Sequence, residues 1–180
     1  GAGKLNYPVF DGTPVTTFDS IHLRAMYNNS WIHSSSTQRA RATMIRDQWA
    51  RDCMIDMGNA DGGQGHFVHF YINGIYWGVF NLHERLENDH YAAYNGYEDD
   101  EVLGLNPGRP TSEETRSFNA MKAVVTNSGS TWSQIQAVLD VDNYIDFVIT
   151  EYFGRNADLK SGDNWRAAGG GSANAPWRFY

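Results

Sequence analysis

Phe70-Tyr71-Ile72-Asn73-Gly74-Ile75-Tyr76-Trp77-Gly78-Val79-Phe80-Asn81-Leu82-His83-Glu84 reads as two aromatic-rich strands around an Asn-Gly turn. Asn-Gly between two apolar runs is the strongest short-range hairpin signal a sequence carries. Counting outward from the turn pairs Ile72 with Ile75, Phe70 with Trp77 and His69 with Gly78. Val68, Phe70, Ile72, Ile75, Trp77 and Val79 then share one face, and Phe67, His69, Tyr71, Tyr76, Gly78 and Phe80 the other. Both faces are apolar, so the sheet is expected to be covered on both sides or to line a cleft. Gly78, in mid-strand, marks either the close approach of a ligand or backbone, or plain packing under a bulky neighbour. The second strand runs into the charged segment Glu84-Arg85-Leu86-Glu87, so the hairpin ends on a carboxylate.

Before the hairpin, residues 1–36 read as short strands and loops, with Ile21 to Met26 alternating like a strand. Ser34-Ser35-Ser36-Thr37 is a turn cluster that would cap a helix. Ala42, Ile45, Trp49, Cys53 and Met57 recur at helical spacing, which predicts one long helix over 37–57, closed by Gly58. Beyond the hairpin a short helix is predicted over 87–94. Capping boxes at Thr111-Ser112-Glu113-Glu114 and Thr131-Trp132-Ser133-Gln134 each open a helix. Val141 to Tyr152 is apolar nearly all round, which predicts the buried centre of this half. Weak strands follow near 164–167 and from Pro176, with Gly169-Gly170-Gly171 as a flexible loop between them. The pattern is α+β: a sheet-plus-helix part over 1–84 and a mainly helical part over 85–180.

The length of 180 residues suits one domain. Hydrophobic residues at 41% and charged residues at 19% are ordinary for a globular chain, whereas aromatics at 14% are high. No run of about 18 apolar residues is present, so no membrane span is expected. The net charge of -7 argues against non-specific binding to nucleic acid or anionic membrane. Cys53, the single cysteine, reads as a buried free thiol in the helical stripe.

The most site-like polar cluster is Asn156-Ala157-Asp158-Leu159-Lys160-Ser161-Gly162-Asp163-Asn164-Trp165, directly after the apolar helix. Asp158 could accept a proton, and Asp163 or Asn164 could offer oxygen to a hard metal ion. The same residue types are plain turn formers. His66 and His69 lie three apart in a strand and point to opposite faces; His66 and His83 share a face but are staggered, so zinc is not expected there. Neither Gly-rich run is a phosphate loop, since no Lys-Ser/Thr follows Asp61-Gly62-Gly63-Gln64-Gly65 and Gly169-Gly170-Gly171 opens no helix.

Three segments resemble the CotH (spore coat protein H) kinase family: Lys4 to Phe10 with Phe18 to Arg24; the hairpin Tyr71 to Glu84, with its Asn-Gly turn, following glycine and terminal glutamate; and Asp146 to Thr150 through Asn156-Ala157-Asp158 to Asn164-Trp165. The resemblance implies an atypical protein-kinase-like fold that transfers the γ-phosphate of ATP, with Mg²⁺, to Ser or Thr of a protein substrate. It implies that 37–57 is the small-lobe helix and that Glu84 sits at the hinge beside the adenine, with Gly78 also facing the nucleotide. Asp158 would accept the substrate hydroxyl proton and Asn164 would hold metal. Kinases place that Asn five residues after the Asp; here Asn164 follows by six and Asp163 by five, so both are metal candidates.

Family members usually carry a Lys/Arg-bearing strand before the region matching Gly1–Lys4 and a second acidic metal ligand after the region matching Trp177–Tyr180. The chain is therefore expected to be an internal fragment, truncated at both ends and not competent in phosphoryl transfer as it stands. Exposed strand edges would favour homo-oligomers. The competing expectation is a non-catalytic structural or interaction module of a secreted, cell-surface or spore-coat protein. A metal-dependent hydrolase using Asp158 and Asp163 is a third.

Overall fold

The computed structural model describes residues 3–161 and 164–180. Along the chain come β1 (Leu5–Asn6), β2 (Thr17–Phe18), β3 (Ile21–Arg24), α1 (Ser36–Arg39), α2 (Arg46–Asp56), β4 (Gly65–Ile72) and β5 (Ile75–Glu84). Then follow α3 (Asn88–Asn95), β6 (Leu103–Leu105), α4 (Ser112–Thr126), α5 (Trp132–Gln136), α6 (Val141–Phe153), β7 (Ala167–Gly170) and β8 (Ala175–Phe179). The chain is α+β, as its sequence predicts. Its strands form a β1-β2 pair and two antiparallel three-stranded sheets, ordered β3-β5-β4 and β6-β7-β8.

The hairpin forms, but not in the counted register. Ile72 faces Ile75 and Tyr71 faces Tyr76; then Phe70 faces Gly78, leaving Trp77 as the extra residue of a bulge. Gly78 takes φ +131 there, a region L side chains rarely adopt. The bulge moves every later β5 residue to the opposite face from the one predicted. Val68 now stands opposite Phe80, and His66 opposite Leu82, so His66 and His83 lie on different faces. Nor is the hairpin end covered: Tyr71, Ile75, Tyr76 and Trp77 are each half or more in solvent.

One face of this sheet packs Leu82 and Ile21 on a small core of Phe10, Val15 and Phe18. The other carries Asn81 and His83 and receives α2. Because that face is polar, α2 turns polar residues to it: Asn81 Nδ2 donates to Gln48 Oε1 at 3.0 Å. Gly65 permits the fit, since a Cβ there would lie 2.2 Å from Gln48 Oε1. The helix predicted over 37–57 is accordingly two helices, broken at Met44 with φ +58, and its apolar stripe faces outward. Cys53 is half-buried rather than fully buried.

The main core lies in the second half, where Leu105, Met121, Leu139, Phe147, Ala167, Trp177 and Phe179 pack with Met54 of α2. Both capping boxes are present, at Thr111/Glu114 and Thr131/Gln134. α6 is not buried all round. Asn143, Phe147 and Thr150 are inside, while Ile145, Ile149, Tyr152 and Phe153 face solvent. The glycine run is only partly a loop. Gly169 and Gly170 are buried in β7, and a Cβ on Gly169 would lie 2.7 Å from the Trp177 Cα of the neighbouring strand.

Candidate functional site

Between the two halves lies a polar junction that sequence reasoning did not find. Its residues come from five places: the loop after α2 (Asn59, Asp61), the end of β5 (Glu84), α3 (His90, Tyr94), the start of α6 (Asp140, Asn143, Asp146) and the end of the chain (Arg178, Tyr180). Arg178 donates from Nη2 to Asp61 Oδ1 at 2.8 Å and to Asn59 Oδ1 at 2.9 Å, and from Nη1 to Asp140. Tyr180 Oη donates to the other Asp61 oxygen at 2.7 Å. Burial works against the Arg178 charge, but Asp61, Tyr180 and Asp140 together hold its pKa above the ordinary value. Burial, then Asp61, pushes the Tyr180 hydroxyl well up, so it stays a donor.

Asn143 ties α6 to β8, accepting from Phe179 N at 2.6 Å and donating to Asn59 Oδ1 at 3.1 Å. Asn59 in turn donates to Asp146 at 2.8 Å. Next to this, His90 Nε2 donates to the Asp61 carbonyl at 2.8 Å, leaving its Nδ1 3.8 Å from Glu84. Glu84 is 1% exposed and accepts from Gln64 N at 2.8 Å and from Tyr94 Oη at 3.0 Å. Outside this buried layer, Lys4, Asp19, Asp89, Asp99 and Arg85 line a narrow cleft that reaches Glu84 and His90. Lys4 bridges Asp19 at 2.8 Å and Asp99 at 2.7 Å.

The residues singled out from sequence are spread over the chain. Glu84 ends β5 inside the junction. Gly78 sits at the bulge, where the nearest atom to an added Cβ is a Phe80 ring carbon at 3.7 Å, so no described residue crowds it. Asp158 is exposed on the 3-10 turn Ala157–Ser161, beyond the far end of α6 from Asp140, with its N–H held by Asn156 Oδ1 at 3.1 Å. Leu159 anchors that turn against the main core. Asn164 is exposed, and Asp163 lies outside the described residues. Among the described residues no group of three or more His, Cys, Asp or Glu is placed to hold a metal ion.

One further pair joins sheet to helix: Arg24, at the end of β3, makes an ion pair with Asp47 in the first turn of α2. Deeper under α2, Arg51 Nη1 approaches the Glu84 carbonyl at 3.4 Å. Its guanidinium is pushed by burial down to about 10, still charged at neutral pH. His83 donates from Nδ1 to the Glu84 carbonyl at 2.7 Å, and its buried Nε2 meets no partner among the described residues. Burial, then the Arg51 charge, lowers its pKa from 6.5 to about 4.

The fold therefore prefers neutral His83. Its contribution is complete above pH 6.5, falls as the pH drops from 6.5 to 4, and is level below that. A shift of this size corresponds to about 3 kcal/mol. His83→Asn, which keeps a donor for the Glu84 carbonyl, is expected to flatten the loss of stability between pH 6.5 and 4. Urea midpoints at the two pH values check this, and an unchanged slope would remove His83 as the acid-sensitive group.

No helix among the described residues is long and apolar enough to cross a membrane. A search of the curated proteins finds no match. The family model described as CotH kinase protein matches residues 4–179, nearly the whole chain, and takes in both sheets, α2, α6 and the junction between them. The resemblance carried by the hairpin and the two flanking segments is thereby borne out, and the chain belongs to the CotH kinase family.

Proposed function

We propose that this chain carries the nucleotide-handling and acceptor-facing residues of a protein kinase that moves the γ-phosphate of ATP onto a Ser or Thr hydroxyl of a protein. Family membership supports the reading broadly. The observation that carries it further is the Arg24–Asp47 ion pair between β3 and α2. Protein kinases depend on an ion pair between a cation on a sheet strand and an acid on the helix packed against it, which fixes the cation beside the phosphates. In this reading Arg24 takes the role of the cation that the sequence expectation put upstream of Gly1.

Asp158 stands in solvent on an anchored turn, where a bulky protein substrate can reach it; its role is to accept the hydroxyl proton. Asp163 and Asn164 offer carboxylate and amide oxygens, the hard donors that suit Mg²⁺. Bound there, the ion would neutralise charge on the phosphates. Glu84 is engaged within the fold through its carboxylate, its N–H and its carbonyl, so its share in nucleotide binding is to hold the end of β5 in place. Gly78, where an added Cβ would meet only a Phe80 ring carbon at 3.7 Å, would be the other nucleotide-facing position. The division at residue 84 into a sheet-plus-helix part and a helical part belongs to the same reading, as does a spore-coat or cell-surface setting.

Titration with ATP and Mg²⁺ in a thermal-shift assay tests it. Ligand at about 100 times Kd adds roughly 2.7 kcal/mol to stability, a shift of several degrees at this size. Arg24→Ala should lose most of that shift. Asp158→Ala should keep it, since that residue would act on the acceptor hydroxyl and not on the nucleotide. Absence of any shift in the unaltered chain would sink the proposal. One observation favours the non-catalytic alternative, a surface interaction module: the solvent-facing aromatics at the hairpin end. Under that reading neither nucleotide nor Arg24 matters to stability.

A further inference from the structure

We infer that two copies of this chain pair through the outer faces of α2 and α6, forming a four-helix layer about a two-fold axis. The two helices run antiparallel side by side. Trp49 stacks on Phe153 with ring centroids 6.1 Å apart, Thr150 Oγ1 donates to Met54 Sδ at 3.6 Å, and Asn59 meets Asp146. Their outward positions carry Ile45, Trp49 and Met57 from α2 and its flanks, and Ile145, Ile149, Tyr152 and Phe153 from α6. These side chains are between 37% and 81% exposed.

On an ordinary surface helix those positions are charged or polar. At roughly 200 Å² for a large side chain, the exposed fractions leave about 800 Å² of apolar surface in solvent. That exceeds the roughly 300–600 Å² of the largest patch on a typical monomer and equals one partner's share of a stable interface.

Charge selects the occupant. Along α6 the stripe runs from Asp142 at one end to Arg155, just past the other. Along α2, Arg46, whose guanidinium donates to the Arg41 carbonyl, is at the same end of the platform as Arg155, and Asp56 is at the end of Asp142. Asp52, midway, is turned to Gln48 Nε2 at 2.7 Å. The platform is therefore basic at one end and acidic at the other, with apolar side chains and the exposed carboxylate of Asp52 between. A two-fold axis through its middle sets each basic end over the partner's acidic end, so the surface is complementary to itself. Edge-to-edge pairing of β4 would leave the platform bare.

Sedimentation of the chain from about 1 to 200 µM tests this, since interfaces of this size associate at micromolar concentrations or below. The expected result is a monomer–dimer equilibrium. Ile149→Glu and Phe153→Glu, both at exposed positions of the monomer, should leave the circular dichroism unchanged and abolish the dimer. Arg46→Asp and Asp56→Arg each set like charges face to face and should weaken it about tenfold. The two together restore the complementarity and should return the affinity to within about threefold of the original. Both changes also suit the α2 dipole, so neither should cost folding. A chain that stays monomeric, that aggregates without defined stoichiometry, or whose dimer survives Ile149→Glu, as β4 edge pairing would, overturns the proposal. Failure of the double reversal to recover what each single reversal loses would overturn it too.

Discussion

Arg178→Ala is expected to cost about 3–5 kcal/mol, a large part of the roughly 5–15 kcal/mol that holds a domain of ordinary stability together. The reason is what stays behind. Asp61 is 3% exposed, and without Arg178 its buried charge keeps, among the described residues, the Tyr180 hydroxyl alone opposite it. Asp140 loses its ion pair, and Asn59 loses a donor at 2.9 Å. Removing both charges is a different experiment. Asp61→Leu with Arg178→Met removes the buried ion that the single change strands, leaving the part-exposed Asp140 without its cation, and should cost clearly less than the two single changes added. Urea denaturation of the four proteins supplies the cycle. A loss below about 1 kcal/mol for Arg178→Ala would mean that water enters the junction freely and that the pair is a surface bridge in effect.

Trp177→Ala should be comparably severe, and Trp77→Ala nearly silent. Trp177 is 2% exposed, sits edge-on to Phe118 at 5.2 Å, and its backbone bonds Val138 and Asp140 at 2.9 and 3.0 Å. Truncation opens a cavity among Met121, Leu139, Phe147 and Phe179, and losses of about 3–5 kcal/mol are usual for such changes. At this chain length that lowers Tm by roughly 10 °C or more. Trp77, bulged out of β5, is 61% exposed and should stay within about 0.5 kcal/mol. Thermal melts of both variants check the contrast. Equal losses would show that the bulge does not turn Trp77 out of the sheet.

What could be read from the sequence was local. The Asn73-Gly74 turn and the two capping boxes rest on residues a few positions apart, the family membership on three short segments, and each is as expected. The helix over 37–57 failed because its apolar stripe was assumed to face the core. The surface it packs on is polar, so Gln48 and Arg51 turn inward instead. The face assignment of β5 failed after Trp77 because alternation carries no mark of a bulge; the glycine after it, at φ +131, was the available signal. The junction was out of reach for a stronger reason. Arg178 meets residues 117 and 119 positions away, and Asn143 meets Asn59 across 84, and nothing in the local pattern of either partner points to the other. Among the proposed site residues, the exposure of Asp158 agrees with a loop reading, whereas the full engagement of the Glu84 carboxylate was not legible.

The link from Arg178 to Asp61 also bears on when the molecule acquires its shape. It closes a loop of 117 residues, and long closures come late because chain entropy must be spent before the contact returns anything. The hairpin and α4 can form on their own timescale; the clasp cannot form until the last strand has arrived. Weakening it should then hasten unfolding more than it slows folding, which makes residue 178 a setting for the lifetime of the native state rather than for the speed of reaching it.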